Sequence, residues 1–237
     1  MNKKVGFLVL LLLSTLFTAL AQEGSAASPD FSDKQLEQYH KFIEHKSLDS
    51  AYRFLNANKS NSVDYYLCWK DLAFNYWAKG DLSNSTSIAF WLKRKTALFD
   101  NPNELYPQLH HLIGNIYFTQ NQLDSAIANY KKTIHYRENY THIHDTALLD
   151  TYQNISQVYS FASDSSNAFY YLEKAKDILY LQSNNLLQIA SIYGRYGDSY
   201  LRLGYYKLAE NSFKEAIELL DSSKLEHQLE LSQFYMQ

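Results

Sequence analysis

The chain has 237 residues, of which 46% are hydrophobic and 16% are aromatic, and its formal net charge is −3 at pH 7. This length and hydrophobic content suffice for a substantial core, and the lack of a basic block in the sequence argues against a nucleic-acid partner. With only seven glycines and three prolines, the composition argues against a sandwich or barrel built on many tight turns and favours long helices.

Residues 1–21 have the pattern of a secretory signal peptide. Lys3 and Lys4 precede the apolar run VGFLVLLLLSTLFTAL, and Ala19 and Ala21 supply the small residues before a cleavage site. We therefore expect cleavage after Ala21, export of the mature chain (to the periplasm or envelope if the host is bacterial), and no stable membrane span after cleavage. An uncleaved signal anchor is the alternative, since the run nearly spans a bilayer.

A short linker is predicted next, over residues 22–31 (QEGSAASPDF), because its residues are polar and small. From residue 32 onward the sequence repeats itself. Four copies of one pattern share a tyrosine at positions 76, 117, 159 and 200, so that successive copies are offset by 41 or 42 residues, and a weaker copy in front has Phe42 in the tyrosine position. A period of this kind indicates an array of helical pairs.

Each copy combines small and aromatic residues at helical spacing. The last copy begins with an apolar stripe of three tyrosines, Tyr193, Tyr196 and Tyr200. We expect Gly197 and Ala209 to let the two helices of the pair approach closely, Ala216 to make room for the following helix, and Phe213 to fill the space beside it. Since a single pair cannot bury its apolar face alone, the pairs are expected to stack.

This spacing of tyrosine, alanine, an aromatic residue and a second alanine resembles the tetratricopeptide repeat. The resemblance covers about residues 32–237 and implies an all-α fold, a right-handed superhelical solenoid of about five helix pairs plus a C-terminal helix. The predicted pairs span about 33–57, 61–98, 104–138, 143–182 and 185–221, and the terminal helix spans 224–236. The apolar end of that helix resembles the start of another repeat more than a polar cap.

The period is longer than is usual in this family. The proline that normally ends the second helix is missing, so we interpret the 41–42-residue period as a second helix that continues for about two further turns. The short signal segment and the Asn- and Tyr-rich composition resemble those of an exported, bacterial type of array.

The sequence contains no motif for catalysis, a cofactor or a metal. It lacks a Gly-rich phosphate loop, a G-x-S-x-G elbow and an H-E-x-x-H motif. His142 and His144 would lie on different faces of a helix, which is poor geometry for a metal. Cys68 lies in a helical pattern and is predicted to be buried. We therefore expect no enzymatic activity, no cofactor and no metal.

In the family, the first helices of the pairs line a concave groove that holds a peptide or a helix. The resemblance places eleven residues of this chain in that groove, namely Lys70, Phe74, Trp77, His111, Asn115, Phe118, Gln153, Gln157, Phe161, Asp198 and Arg202. Aromatic rings beside amides suit an extended peptide. For the four aromatic residues of this set, packing between helices is the alternative. Phe74 stands where the family's carboxylate clamp would need an asparagine, so a receptor of that type is not expected.

The sequence therefore predicts an exported scaffold with a protein or peptide partner. Two alternatives stay open. The apolar C-terminal end favours the sensor half of an envelope signalling protein. The wealth of Tyr, Trp and Asn would also suit an envelope carbohydrate binder, although the anchoring cysteine of such receptors is missing.

Overall fold

The structure is a computed structural model, and it describes residues 30–96, 104–140, 146–182 and 186–220. These residues form ten α-helices and contain no strand. The helices are α1 (Asp33–Glu44), α2 (Leu48–Ala57), α3 (Val63–Ala78), α4 (Leu82–Thr96), α5 (Leu105–Thr119), α6 (Leu123–Tyr140), α7 (Thr146–Phe161), α8 (Ser165–Gln182), α9 (Leu186–Arg202) and α10 (Tyr206–Glu218). The predicted all-α fold of about five helix pairs is confirmed.

Several predictions fall outside the described residues. They concern the signal peptide, most of the linker, the two histidines His142 and His144, and the terminal helix over 224–236.

The chain forms two compact units, the first ending at Leu72 and the second beginning at Ala73, so that α3 contributes to both. In the first unit, Ser32 and Gln35 form a reciprocal cap at the start of α1. The hydroxyl of buried Tyr39 donates hydrogen bonds to the carbonyl of Cys68 at 2.9 Å and to the carboxylate of Asp71 at 2.8 Å.

The prediction that Cys68 is buried is confirmed. Its burial raises the pKa of the thiol to about 12, and the nearby carboxylate of Asp71 adds to the rise. The thiol is therefore protonated at neutral pH, and this side chain behaves as a small hydrophobic residue.

The second unit is a helical solenoid. Each helix from α4 to α10 packs against the next one in the chain, and the first helices α5, α7 and α9 also contact one another in succession. One cluster of buried side chains runs from α6 to α9 and includes Tyr130, Ile155, Leu172 and Ile192. The pairs thus share a continuous core, which no single pair could form by itself.

The turn inside each pair has one geometry throughout the chain. The residue that leaves the first helix has a positive φ in all five pairs, at Lys46, Gly80, Asn121, Ser163 and Gly204. The next backbone N–H donates to the carbonyl of the repeat's aromatic residue, at distances of 2.8–2.9 Å to Phe42, Tyr76, Tyr117, Tyr159 and Tyr200. This is a Schellman-type helix end. The weaker first copy, with Phe42, therefore ends its first helix as the other four do.

At Gly197, where the sequence predicts a close approach of the two helix backbones, the structure places an aromatic ring of the second helix. A Cβ placed on Gly197 would lie 2.5 Å from the ring of Phe213, and one placed on Gly114 would lie 2.6 Å from the ring of Tyr130. The nearest atoms at both glycines belong to a ring of the second helix and not to its backbone. The glycine of the first helix therefore makes room for an aromatic side chain of the second.

Candidate functional site

A cavity of about 460 Å³ opens on the first helices of three successive pairs in the second unit. We call it the groove, and nine residues line it: Trp77, Asn115, Phe118, Thr119, Asn121, Tyr130, Asn154, Gln157 and Phe161. Four of these residues are aromatic, four carry a carboxamide and one carries a hydroxyl. Because none of them is charged, the groove offers rings and neutral hydrogen-bonding groups.

The rings of the groove are held by contacts with the next pair. Trp77 donates from Nε1 to Oγ1 of Thr119 at 2.9 Å. Phe118 meets Phe161 edge to face, with ring centroids 5.1 Å apart. The guanidinium carbon of Arg202 then lies 3.7 Å from the ring centroid of Phe161, which is a cation–π geometry. The sequence left open whether Trp77 and Phe118 line the groove or pack between helices. In the structure they line the groove and also pack on the neighbouring pair.

A chain of hydrogen bonds fixes the amides at the base of the groove. The hydroxyl of Tyr130 donates to Oδ1 of Asn115 at 2.6 Å, and Nδ2 of Asn154 lies 3.3 Å from the same oxygen. Nδ2 of Asn154 also lies 3.2 Å from Nε2 of His111, whose Nδ1 lies 2.9 Å from Oγ1 of Thr151. Burial raises the pKa of Tyr130, so its hydroxyl stays protonated and donates.

Charged residues lie at the α9 end of the groove. Arg195 donates from Nη1 to Oε1 of Gln157 at 3.4 Å. Burial lowers the pKa of Arg195, and the carboxylates of Asp150 and Asp198 oppose this shift. Burial likewise raises the pKa of Asp198, whereas Arg202 and Arg195 oppose the rise. This end of the groove therefore carries charges of both signs.

The structure brings together five of the eleven predicted site residues in the lining of the groove, namely Trp77, Asn115, Phe118, Gln157 and Phe161. Among these, Asn115 is largely buried, with 5% of its surface exposed. Asp198 and Arg202 line a much smaller cavity beside Arg195.

The other four predicted residues lie away from the groove lining. Phe74 is 41% exposed and contacts the ring of Trp77. Gln153 is only 7% exposed. His111 does not line the groove but lies in the hydrogen-bond chain described above. Lys70 is half-buried and belongs to the first unit.

Sequence reasoning missed four residues of the lining, Thr119, Asn121, Tyr130 and Asn154. Asn154 lies three positions before Gln157 and therefore on the same helix face, so its inclusion could have been predicted. Tyr130 occupies an aromatic position that predicts a core residue, and it is fully buried although it contributes to the lining. Arg195, beside Gln157, was also missed.

In the part of the chain that the structure describes, no group of three or more His, Cys, Asp or Glu side chains could hold a metal ion. None of the helices in the same residues is long and apolar enough to cross a membrane.

Comparison with known proteins identifies the repeat. The tetratricopeptide repeat family matches residues 107–140 and 190–219. No curated protein matches the sequence. Three similar solved structures all share the fold, at low sequence identity.

The first is that of nearly identical TPR-like repeats of a putative kinesin light chain from Podosopora anserina, with a TM-score of 0.64 and 12% identity over 78% of this chain and 93% of that one. The second is BtubC (BKLC) from P. vanneervenii, with a TM-score of 0.60 and 15% identity over 86% and 80% of the two chains. The third is the APC/C hetero-tetramer Cut9–Hcn1, with a TM-score of 0.60 and 16% identity over 84% of this chain and 35% of that one. This chain therefore contains tetratricopeptide repeats, which the family match places at residues 107–140 and 190–219.

Proposed function

We propose that the protein is a non-enzymatic, protein-binding scaffold and that its groove holds a peptide segment of the partner. The lining of the groove carries this proposal: four aromatic residues and four carboxamides surround one cavity of about 460 Å³. Aromatic residues such as Trp and Tyr are enriched among the few residues that dominate the energy of protein interfaces, while carboxamides can pair with the N–H and C=O groups of a peptide backbone.

The contacts between pairs favour binding in a second way. The indole of Trp77 is held by Thr119, and the ring of Phe118 is held against Phe161. Side chains that are already ordered lose little conformational entropy when a partner binds. The groove is therefore preorganised for its occupant.

The carboxamides of the groove favour an extended segment over a helix. An extended segment exposes its backbone to these carboxamides, whereas a helix uses its backbone groups internally.

The similar structure of the Cut9–Hcn1 hetero-tetramer offers a parallel, since a chain with this fold takes part in a protein assembly there. By analogy, we infer a protein partner for this chain as well. Fold alone does not decide function, so the lining of the groove carries the proposal.

We also propose that the mature protein acts outside the cytoplasm, in the periplasm or envelope of a bacterial host. Lys3, Lys4, the apolar run and the small residues Ala19 and Ala21 support this proposal.

Selection of peptides by the full chain tests the binding proposal. A displayed library of random short peptides is selected on the immobilised protein, and the Kd of an enriched peptide, here called the selected peptide, is measured by calorimetry. We expect an enriched peptide that contains an aromatic residue, and we expect Phe161→Ala to weaken its binding by about tenfold or more.

Lys214→Ala is the matched control, because Lys214 is exposed on α10 and pairs with Glu210 along the same helix. It should leave the Kd unchanged. Enrichment of peptides whose binding ignores Phe161 would overturn the proposal. So would a glycan array that gives specific binding where the peptide library gives none, since that result would favour the carbohydrate alternative.

A further inference from the structure

The hydrogen-bond partners of His111 determine where its proton lies. The hydroxyl of Thr151 has one hydrogen, and it donates that hydrogen to the carbonyl of Ala147 at 2.7 Å. Thr151 can therefore only accept in its 2.9 Å contact with Nδ1 of His111. The donor in that contact is the N–H at Nδ1. In the neutral imidazole, Nε2 is then the acceptor.

This acceptor in turn orients two carboxamides. Because Nε2 of His111 accepts, the group that Asn154 turns toward it, at 3.2 Å, is its amino group. The second hydrogen of that amino group points to Oδ1 of Asn115 at 3.3 Å, and the hydroxyl of Tyr130 donates to the same oxygen. Each member of the chain thus has a single consistent orientation.

The orientation leaves one donor and one acceptor for the groove. Nδ2 of Asn115 and Oδ1 of Asn154 have no hydrogen-bond partner among the described residues, and both residues line the groove. A peptide group offers one carbonyl acceptor and one N–H donor. It is therefore the complementary occupant.

We propose that His111, as the neutral tautomer protonated at Nδ1, positions Asn154 and Asn115 so that the groove presents Oδ1 of Asn154 and Nδ2 of Asn115 to one peptide group of the bound segment. The proposal rests on the proposed function of the groove. His111 itself is a positioning residue, since it does not line the groove. Without this acceptor, the amide of Asn154 is held only by its contact with Oδ1 of Asn115, so the donor and the acceptor that face the groove are less firmly oriented.

The tautomer can be measured on the free, full chain. We expect ¹H–¹⁵N correlation spectra at neutral pH to show His111 with a proton on Nδ1 and a bare Nε2. A proton on Nε2 at neutral pH would overturn the proposal. This result needs no bound peptide, so a failure here is distinct from a failure of the proposed function.

Binding of the selected peptide tests the consequence. His111→Leu removes the acceptor, and we expect it to weaken binding about tenfold, the factor that corresponds to one lost hydrogen bond. In His111→Gln the side-chain carbonyl can take the place of Nε2, so binding should stay within about twofold of the wild type. His135→Leu, which changes an exposed histidine on α6, is the matched control and should have no effect.

Equal losses in His111→Leu and His111→Gln, or no loss in either variant, would overturn the proposal. If His111→Leu does not fold, Asn154→Asp serves in its place, because it removes the amino group that donates to His111 while keeping the shape of the side chain. It should weaken binding by about the same factor, and unchanged binding would contradict the positioning role.

Discussion

The ring of Phe213 occupies the place of the side chain that Gly197 lacks, since a Cβ on Gly197 would lie 2.5 Å from Cε1 of Phe213. The same relation holds two copies earlier in the second unit, between Gly114 and Tyr130. In the pair between them, the equivalent positions hold Ser156 and Leu172, which are both buried. A larger residue on the first helix thus goes with a smaller one on the second.

Gly197→Ala should therefore lower the free energy of unfolding by about 1–3 kcal/mol, because the added methyl group forces the ring of Phe213 to move in a packed interior. Alanine has the higher helix propensity, so a loss of stability would show that packing outweighs propensity. Urea unfolding of the full chain measures the change.

The matched variant is Gly197→Ser combined with Phe213→Leu, which copies the combination of Ser156 and Leu172. We expect it to recover most of the stability that Gly197→Ala loses. An unchanged free energy of unfolding in Gly197→Ala would contradict the packing account.

The double variant Trp77→Ala with Phe118→Ala should weaken binding of the selected peptide by about 2 kcal/mol or more, because it removes two of the four rings that line the groove. Both rings also contact the next pair, so thermal unfolding should show a lower Tm for a chain that remains folded. Calorimetry on the folded variant measures the affinity. A folded double variant with an unchanged Kd would place the binding surface elsewhere, and Lys214→Ala serves again as the control.

Buried His110 should make stability depend on pH. Its Nδ1 lies 2.8 Å from Oδ1 of Asn129, and burial lowers the pKa of the ring to about 4, although the hydrogen bond with Asn129 opposes the shift. The pKa of His110 is lower in the folded chain than in the unfolded chain. The unfolded chain therefore binds the proton first as the pH falls. The stability that the neutral ring contributes is therefore fully present above about pH 6.5 and is lost toward pH 4, by about 3 kcal/mol.

His110→Gln should remove this part of the pH dependence, whereas the exposed control His135→Gln should not. The free energy of unfolding is measured for the three proteins between these pH values. If the wild type and His110→Gln lose stability in parallel, the ring does not stay neutral in the folded chain.

Two buried hydroxyls join α7 to α9, with Oγ of Ser160 and Oγ of Ser199 only 2.7 Å apart. Ser160→Ala alone should lower the free energy of unfolding by about 1 kcal/mol, because it leaves the buried hydroxyl of Ser199 without this partner. The double variant with Ser199→Ala should cost less than the sum of the two single changes. A double-variant cycle by urea unfolding measures this coupling, and strictly additive losses would show that the two hydroxyls do not support each other.

The protein purified from its native host should begin at Gln22, because Ala19 and Ala21 are the small residues that the signal peptidase reads. N-terminal sequencing measures this. Replacing both alanines with leucine should block the cut while leaving the apolar run intact. A wild-type protein that begins at Met1 would support the signal anchor instead.

The sequence by itself determined the helices of this protein and their pairing. A helix and its turn depend on residues that are close along the chain, and these recur every 41 or 42 residues. Each first helix ends shortly after the recurring tyrosine, at a residue that adopts a positive φ, such as Gly80 or Asn121. The small residues predicted the close packing at Gly197 for the same reason, since size and period are both visible in the sequence.

Only the tertiary structure decided how the groove is built. The ring contact of Phe118 with Phe161 and the hydrogen bond of Trp77 with Thr119 join residues about one repeat apart. They depend on how far one pair is shifted and rotated against the next, which no local pattern specifies. The orientation of the amides of Asn115 and Asn154 depends in the same way on hydrogen bonds that cross between helices, and those bonds form only once the pairs are stacked.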